Sequence, residues 1–219
     1  SFQPQMQKVQ NLLPGAALGV RRCASDQDKN VLDQAALTSE FGTIWHAVKM
    51  AHTEEGKESL RIVTAQGWDV RRRGPLGETP LHLAVLYSLS QAHEQVVIDL
   101  WNRFPELRTA VYEEDWYRGE NCLHIAIVRK NARLVKFFLE SCEGQLLLRQ
   151  RAVGTFFTDP DVECACLFGE YPLAFAVCTN EPELFRMLLE HGADIGIKDS
   201  RGNNLLHLAV RFSLTRMYD

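Results

Sequence analysis

The stretch Gly77-Glu78-Thr79-Pro80-Leu81-His82-Leu83-Ala84 decides the fold, because the chain repeats it three times in altered form. The other copies are Gly119-Glu120-Asn121-Cys122-Leu123-His124-Ile125-Ala126, Gly169-Glu170-Tyr171-Pro172-Leu173-Ala174-Phe175-Ala176 and Gly202-Asn203-Asn204-Leu205-Leu206-His207-Leu208-Ala209. The first glycines of the copies stand at 77, 119, 169 and 202, so the steps between them are 42, 50 and 33 residues. Such self-similarity is typical of proteins that stack one structural unit repeatedly.

Each position of this phrase has a physical role at the start of a helix. The glycine tolerates the positive φ of a tight turn. A side-chain oxygen of Thr79 or Asn121 can cap a helix N-terminus, and Pro80 suits the first helical position. We expect the histidine of the phrase to hydrogen-bond the turn, and three copies have one: His82, His124 and His207.

Second helices follow the phrase in at least two copies. Segments 131–140 and 182–190 carry apolar residues at positions i, i+1, i+4 and i+5, which form one helical face. A weaker unit begins at Gly42, with a partner helix over 57–64. This is the pattern of the ankyrin repeat, whose period is about 33 residues. We therefore predict an all-α ankyrin-repeat solenoid of about five helix-turn-helix units with long finger loops.

The predicted organisation is an N-terminal extension or cap over residues 1–41 and a repeat domain over 42–219. Its units begin near 42, 77, 119, 169 and 202. The last unit is incomplete, because only ten residues follow Ala209. We expect the natural chain to continue, since an unpaired inner helix would expose its apolar face.

Composition excludes several classes of protein. The net charge of −4 argues against general nucleic-acid binding, which needs a strongly basic face. No stretch approaches the roughly 18 apolar residues of a membrane span. Cys122 and Cys178 fall in repeat helices, which favours reduced thiols over a disulfide framework. Cys164 and Cys166 lack the usual zinc-ligand spacing, so we predict no metal site and no cofactor.

At this level of detail the chain resembles the cytosolic ankyrin domain of vanilloid-type transient receptor potential (TRPV) cation channels. The resemblance rests on the phrases within 73–82, 117–127 and 191–203, and above all on the stretch from Phe168 to Ala176, which follows a long aromatic insertion. It runs from about Gly42 to Asp219. It implies a tetrameric, calcium-permeable channel of the plasma membrane, with this domain on the cytoplasmic face and six membrane helices per subunit downstream.

The long insertions are rich in aromatic side chains that either fold back on the stack or contact a neighbouring subunit. The resemblance implies subunit contact through these finger loops. Our candidates for it are Trp116, Tyr117, Phe156, Phe157 and Phe168.

Some TRPV channels bind ATP or calmodulin at this domain. Tyr117 and Arg129 match the nucleotide site, but Glu78 replaces its lysine, Glu120 its glutamine and Val128 its glutamate. Negative charge beside a triphosphate is costly, so we expect weak ATP binding or none. Calmodulin prefers basic amphipathic partners, and two sets of basic residues are candidates for it or for solvated surface: Arg71, Arg72 and Arg73, and Arg129, Lys130, Arg133 and Lys136.

The predicted function is therefore that of an intracellular assembly and regulatory domain of a TRPV-type channel. A soluble ankyrin adaptor that binds a partner through its concave face is the alternative. Cys122 lies near His124 in sequence, but residues two apart on a helix point to different faces, which argues against a nucleophile and base pair. Because no acid, base and nucleophile converge, we predict no enzymatic activity and no catalytic residue.

Overall fold

The computed structural model describes residues 40–65, 69–74, 76–154 and 169–211. Its contacts divide the chain into two compact units, Ser1–Asp69 and Val70–Asp219. Within the described ranges the regular elements are helices, with one isolated β-bridge between Lys198 and Asn204. The prediction of an all-α fold is confirmed.

The first unit contains a pair of helices, α1 (Glu40–Lys49) and α2 (Glu54–Ala65), that pack against each other. Gly42, which we expected in a turn, lies inside α1, so this pair begins differently from the clear repeats. Gly56 permits the close approach of α2 to the connecting turn, because a Cβ there would lie 1.9 Å from the carbonyl oxygen of Met50. The face of α1 toward α2 buries Ile44, Ala47 and Val48. The predicted cap over 1–41 lies almost entirely outside the described residues.

Among its described residues, the second unit has three pairs of α-helices, two further α-helices and a short 3₁₀ helix, Pro105–Leu107. Its elements in chain order are α3 (Pro80–Leu86), α4 (Gln91–Arg103), α5 (Cys122–Val128), α6 (Ala132–Leu139), α7 (Gly144–Arg149), α8 (Pro172–Cys178), α9 (Pro182–Glu190) and α10 (Leu205–Arg211). The inner helices contact one another in sequence, α3 with α5, α5 with α8 and α8 with α10. Each of the first three also packs on its own outer helix, α4, α6 or α9. This is a solenoid of stacked pairs.

The stack is held together by apolar side chains that recur at equivalent positions. The first leucine of the phrase is at most 2% exposed in three successive units, at Leu81, Leu123 and Leu173. Burying one such side chain contributes about 1.5–3 kcal/mol. Between outer helices, the rings of Trp101 and Phe138 lie 4.9 Å apart. Each unit thus supplies part of its neighbour's core, as expected for a repeat protein.

The repeated phrase forms the turn and helix start that its residues predict. The four glycines have positive φ, from 68° at Gly169 to 84° at Gly119. The side chains of Thr79 and Asn121 accept hydrogen bonds from the backbone N–H of the histidine three residues later. Pro80 and Pro172 occupy the first position of α3 and α8. The sequence-based prediction of these helix starts is confirmed.

The phrase histidines tie each turn to the next finger loop. Nδ1 of His82 accepts from the N–H of Thr79 (3.1 Å), and its Nε2 lies 3.0 Å from the carbonyl oxygen of Ala110. His124 repeats this with the N–H of Asn121 (3.2 Å) and the carbonyl oxygen of Glu170 (3.0 Å). Since a carbonyl oxygen only accepts, Nε2 must carry the proton in both rings, and Nδ1 of His82 is then the acceptor of a neutral ring. The expected histidine-to-turn hydrogen bond is confirmed.

Candidate interaction site at the finger loops

Three segments before the inner helices form the candidate site. We call them the first finger (69–79), the second finger (108–121) and the third finger (150–171), of which the structure describes 150–154 and 169–171. The second finger is closed by backbone hydrogen bonds. The N–H of Tyr112 donates to the carbonyl oxygen of Glu120 (2.8 Å), and the N–H of Gly119 donates to that of Tyr112 (2.9 Å).

The closed second finger buries its two tyrosines. Tyr112 and Tyr117 are 6% and 3% exposed, and their ring centroids lie 5.5 Å apart. Tyr112 also stacks on His82 at 4.6 Å. Tyr117 is thus buried within the chain itself. We had predicted it as a partner contact and as a match to the nucleotide site. Any contact of its ring with a partner would first require the finger to open.

Neighbouring fingers are joined by hydrogen bonds and an ion pair. Nη1 of Arg73 on the first finger donates to the carbonyl oxygen of Val111 (2.8 Å), and its Nη2 pairs with Glu113 at 2.7 Å. On the other side, the N–H of Val153 donates to the carbonyl oxygen of Arg118 (2.8 Å). Gly154 allows this approach, because a Cβ there would lie 2.2 Å from the carbonyl oxygen of Trp116. The second and third fingers therefore lie edge to edge.

In the described part of these fingers, two apolar side chains lie exposed or partly exposed at the joined edge. Val153 is 45% exposed, and Trp116, on the adjoining backbone, is partly exposed. The other predicted contacts, Phe156, Phe157 and Phe168, lie outside the described residues, as do Cys164 and Cys166. The described part of the candidate apolar contact is thus Trp116 with Val153, and Val153 was not among our sequence-based candidates.

The basic residues of the second candidate set face carboxylates. Arg133 pairs with Glu94 at 2.9 Å, Lys130 with Glu181 at 2.5 Å, and Lys136 lies 3.7 Å from Glu140. Arg129 is half-buried, and this burial lowers the pKa of its guanidinium. In the first finger, Arg71 and Arg72 are exposed. Arg73 contacts Val111 and Glu113 of the second finger. The basic set on α5 and α6 is therefore largely charge-balanced within the chain, and calmodulin binding stays a prediction.

Buried carboxyl groups follow the turn glycines of the second and third fingers. Glu170 is 3% exposed and takes a positive φ of 71°. Its carboxylate accepts from Nε of Arg151 (2.8 Å) and from the N–H of Ser200 (3.0 Å), which ties the third finger to the turn before α10. The equivalent Glu120 is 8% exposed, and burial raises its pKa to about 8.

Burial raises the pKa of the Cys122 thiol, which is the opposite of what a nucleophilic cysteine needs. Within the ranges given above, no group of three or more His, Cys, Asp or Glu side chains is placed to hold a metal ion. A bilayer crossing needs about 20 apolar residues in one helix, and no helix in the described part of the chain meets that requirement.

Comparison with known proteins agrees with the repeats. An ankyrin-repeat family model (three copies) matches residues 123–217. Human transient receptor potential cation channel subfamily V member 5 is 41% identical over 142 residues, which is 65% of this chain and 18% of that protein. Human subfamily V member 6 is 34% identical over 188 residues, 85% of this chain and 23% of that protein. The chain is an ankyrin-repeat domain of the TRPV channel family.

The TRPV resemblance extends to more distant members. Subfamily V member 1 of the guinea pig, Cavia porcellus, is 38% identical over 112 residues, or 50% of this chain and 13% of that protein. The relatives named here are cation channels. This chain spans less than a quarter of the length of each of them.

Proposed function

We propose that this TRPV ankyrin domain is an assembly and regulatory module of a tetrameric, calcium-permeable channel, on the cytoplasmic face of the plasma membrane. The observation that carries the proposal is the joined edge of the second and third fingers, with Trp116 and Val153 at its surface. A stack of repeats is rigid, so it holds such an edge in a fixed orientation. A neighbouring subunit is the proposed occupant of this edge.

Partly exposed aromatic and β-branched side chains at a rigid edge suit an interface between subunits. Aromatic residues are enriched at protein interfaces, where they bury a large area at low conformational cost. The first, second and third fingers are coupled by the Arg73–Val111 and Val153–Arg118 hydrogen bonds. A subunit that binds the edge would therefore bias all three fingers together, which gives the domain a route to regulation.

Disrupting this edge in the complete channel subunit should weaken assembly. We expect the double variant Trp116→Ala, Val153→Asp to shift a detergent-solubilised channel from tetramers toward smaller species on native gels, and to reduce calcium uptake in cells that express it. Removal of a central interface aromatic costs about 2 kcal/mol or more, or roughly thirtyfold in affinity.

Arg186→Ala is the matched control, because Arg186 is exposed on α9, away from the finger sequence. It should leave both assembly and uptake unchanged. Circular dichroism of the 219-residue chain verifies that each variant keeps its helices. Wild-type assembly and uptake in the double variant would reject the proposed interface, and a soluble monomer as the complete protein would favour the adaptor function.

A further inference from the structure

Glu120 both closes the second finger and buries an acidic group within it. Its N–H donates to the carbonyl oxygen of Tyr117 (2.9 Å), and its own carbonyl oxygen accepts from the N–H of Tyr112 (2.8 Å). The residue is 8% exposed. The backbone that shapes the finger and a largely buried acidic side chain therefore belong to the same residue.

The arginines around the finger are committed to other carboxylates. Arg73 pairs with Glu113, Arg118 with Asp115 and Arg151 with Glu170. Across the described ranges, the Glu120 carboxyl forms no ion pair. Glu120 and Glu170 both follow a turn glycine, but of the two only Glu170 forms an ion pair with an arginine.

The groups that face Glu120 do not stabilise a negative charge. On the finger itself these are Tyr112 and Tyr117, and at the start of α5 Cys122. Glu78, on the turn before α3, acts on the same two tyrosines. Burial first, and then the nearby carboxylate of Glu120, raise the pKa of both tyrosines and of the thiol. An ionised Glu120 would thus sit among neutral or negative groups, and burial raises its own pKa to about 8.

We propose that Glu120 is a proton-controlled latch of the second finger, which stays closed while the carboxyl is protonated and opens when an alkaline shift removes the proton. Opening would expose Tyr112 and Tyr117. It would also disturb the third finger, which is joined to the second through Val153 and Arg118. The latch is a property of this chain and goes beyond the proposed role in assembly.

The sign of the effect follows from proton linkage. In the open finger the carboxyl meets water and titrates near its ordinary pKa of 4.5, whereas in the closed finger it titrates near 8. Between these two pH values the closed state holds one proton more than the open state, so rising pH favours opening. Between pH 6.5 and pH 8.5 the opening equilibrium should rise on the order of 20-fold, given that pKa of about 8.

Amide hydrogen exchange, measured by NMR on the 219-residue chain, tests the latch. Protection factors for the amides of Tyr112 and Gly119, corrected for intrinsic exchange, should fall on the order of 20-fold from pH 6.5 to pH 8.5. In Glu120→Gln, which keeps the shape and cannot ionise, they should stay within about twofold. Glu114→Gln removes an exposed acid from the same finger and should behave as wild type.

Two results would overturn the latch. One is a wild-type finger whose protection is constant over this pH range, and the other is an equal fall in Glu120→Gln. The carboxyl ¹³C shift of Glu120 in the wild-type chain gives an independent answer that needs no variant. A midpoint near 8 supports the latch, and a midpoint near the ordinary 4.5 rejects it.

Discussion

The domain is expected to lose several kcal/mol of its unfolding free energy as the pH falls from 6.5 to 3. His82 and His124 are fully buried, and desolvation lowers the pKa of each from 6.5 to about 3. At His82, protonation would also place an N–H donor on Nδ1 against the N–H of Thr79, from which Nδ1 now accepts a hydrogen bond. Between pH 6.5 and 3 these histidines are protonated in the unfolded chain but not in the folded chain. The free energy of unfolding therefore falls with falling pH.

The expected loss is large compared with the total stability of a domain. Each pKa unit corresponds to about 1.4 kcal/mol, so each histidine contributes on the order of 5 kcal/mol, against a typical total of about 5–15 kcal/mol. Glu120 opposes this between pH 8 and 4.5, because its folded-state pKa is raised. The loss should therefore be shallow down to pH 4.5 and steep below it.

Urea unfolding at pH 7.0, 5.5, 4.5 and 4.0 measures this loss of stability. NMR titration of the histidine rings shows which histidines cause it. We expect His82 and His124 to keep the neutral Nε2–H form at pH 5. The exposed His207→Gln variant is the control and should unfold as wild type throughout. Ring titration of His82 and His124 near 6.5, or stability that is flat to pH 4, would contradict the prediction.

Gly119→Ala is expected to destabilise the domain far more than Gly202→Ala. Both glycines have positive φ, 84° and 80°, so alanine is strained by about 1–2 kcal/mol at either position. At Gly119 an added Cβ would also lie 1.9 Å from the carbonyl oxygen of Arg151, a backbone atom that cannot rotate away. At Gly202 nothing lies within 4 Å.

The difference between the two variants measures the close approach of the second and third fingers. We expect Gly119→Ala to cost about 1–3 kcal/mol more than Gly202→Ala in urea unfolding at pH 6.5. It should also weaken the amide protection of Val153, whose hydrogen bond to Arg118 joins the fingers. Equal destabilisation by the two substitutions would mean that the fingers do not pack as described.

The helix starts could be predicted from sequence because their causes are local. Glycine, a capping oxygen, proline and histidine act within one turn, so the phrase predicts the same geometry wherever it occurs. The outer helix predicted over 182–190 coincides with α9 (Pro182–Glu190), and the one over 131–140 contains α6 (Ala132–Leu139). Gly42 lies inside α1, so the unit predicted to begin near it lacks the glycine turn of the clear copies.

The environment of the finger residues could not be predicted in the same way. Glu120 and Glu170 occupy the same place in the phrase, yet Arg151 and Ser200, 19 and 30 residues from Glu170, partner one of them only. Such contacts depend on the register of the fingers, which no periodicity encodes. The burial of Tyr117 has the same origin. The sequence shows that a Glu follows the turn glycine in three copies. Only the structure shows which of these carboxylates has partners.

Site-specific photocrosslinking in the complete channel tests the central claim most directly. A photoreactive amino acid in place of Trp116 should join neighbouring subunits covalently, giving dimers up to tetramers on a denaturing gel. The same group at the exposed Arg186 of α9 should not. Crosslinks from Trp116 that remain within one subunit, or that capture no second subunit at all, would contradict a finger edge built for assembly.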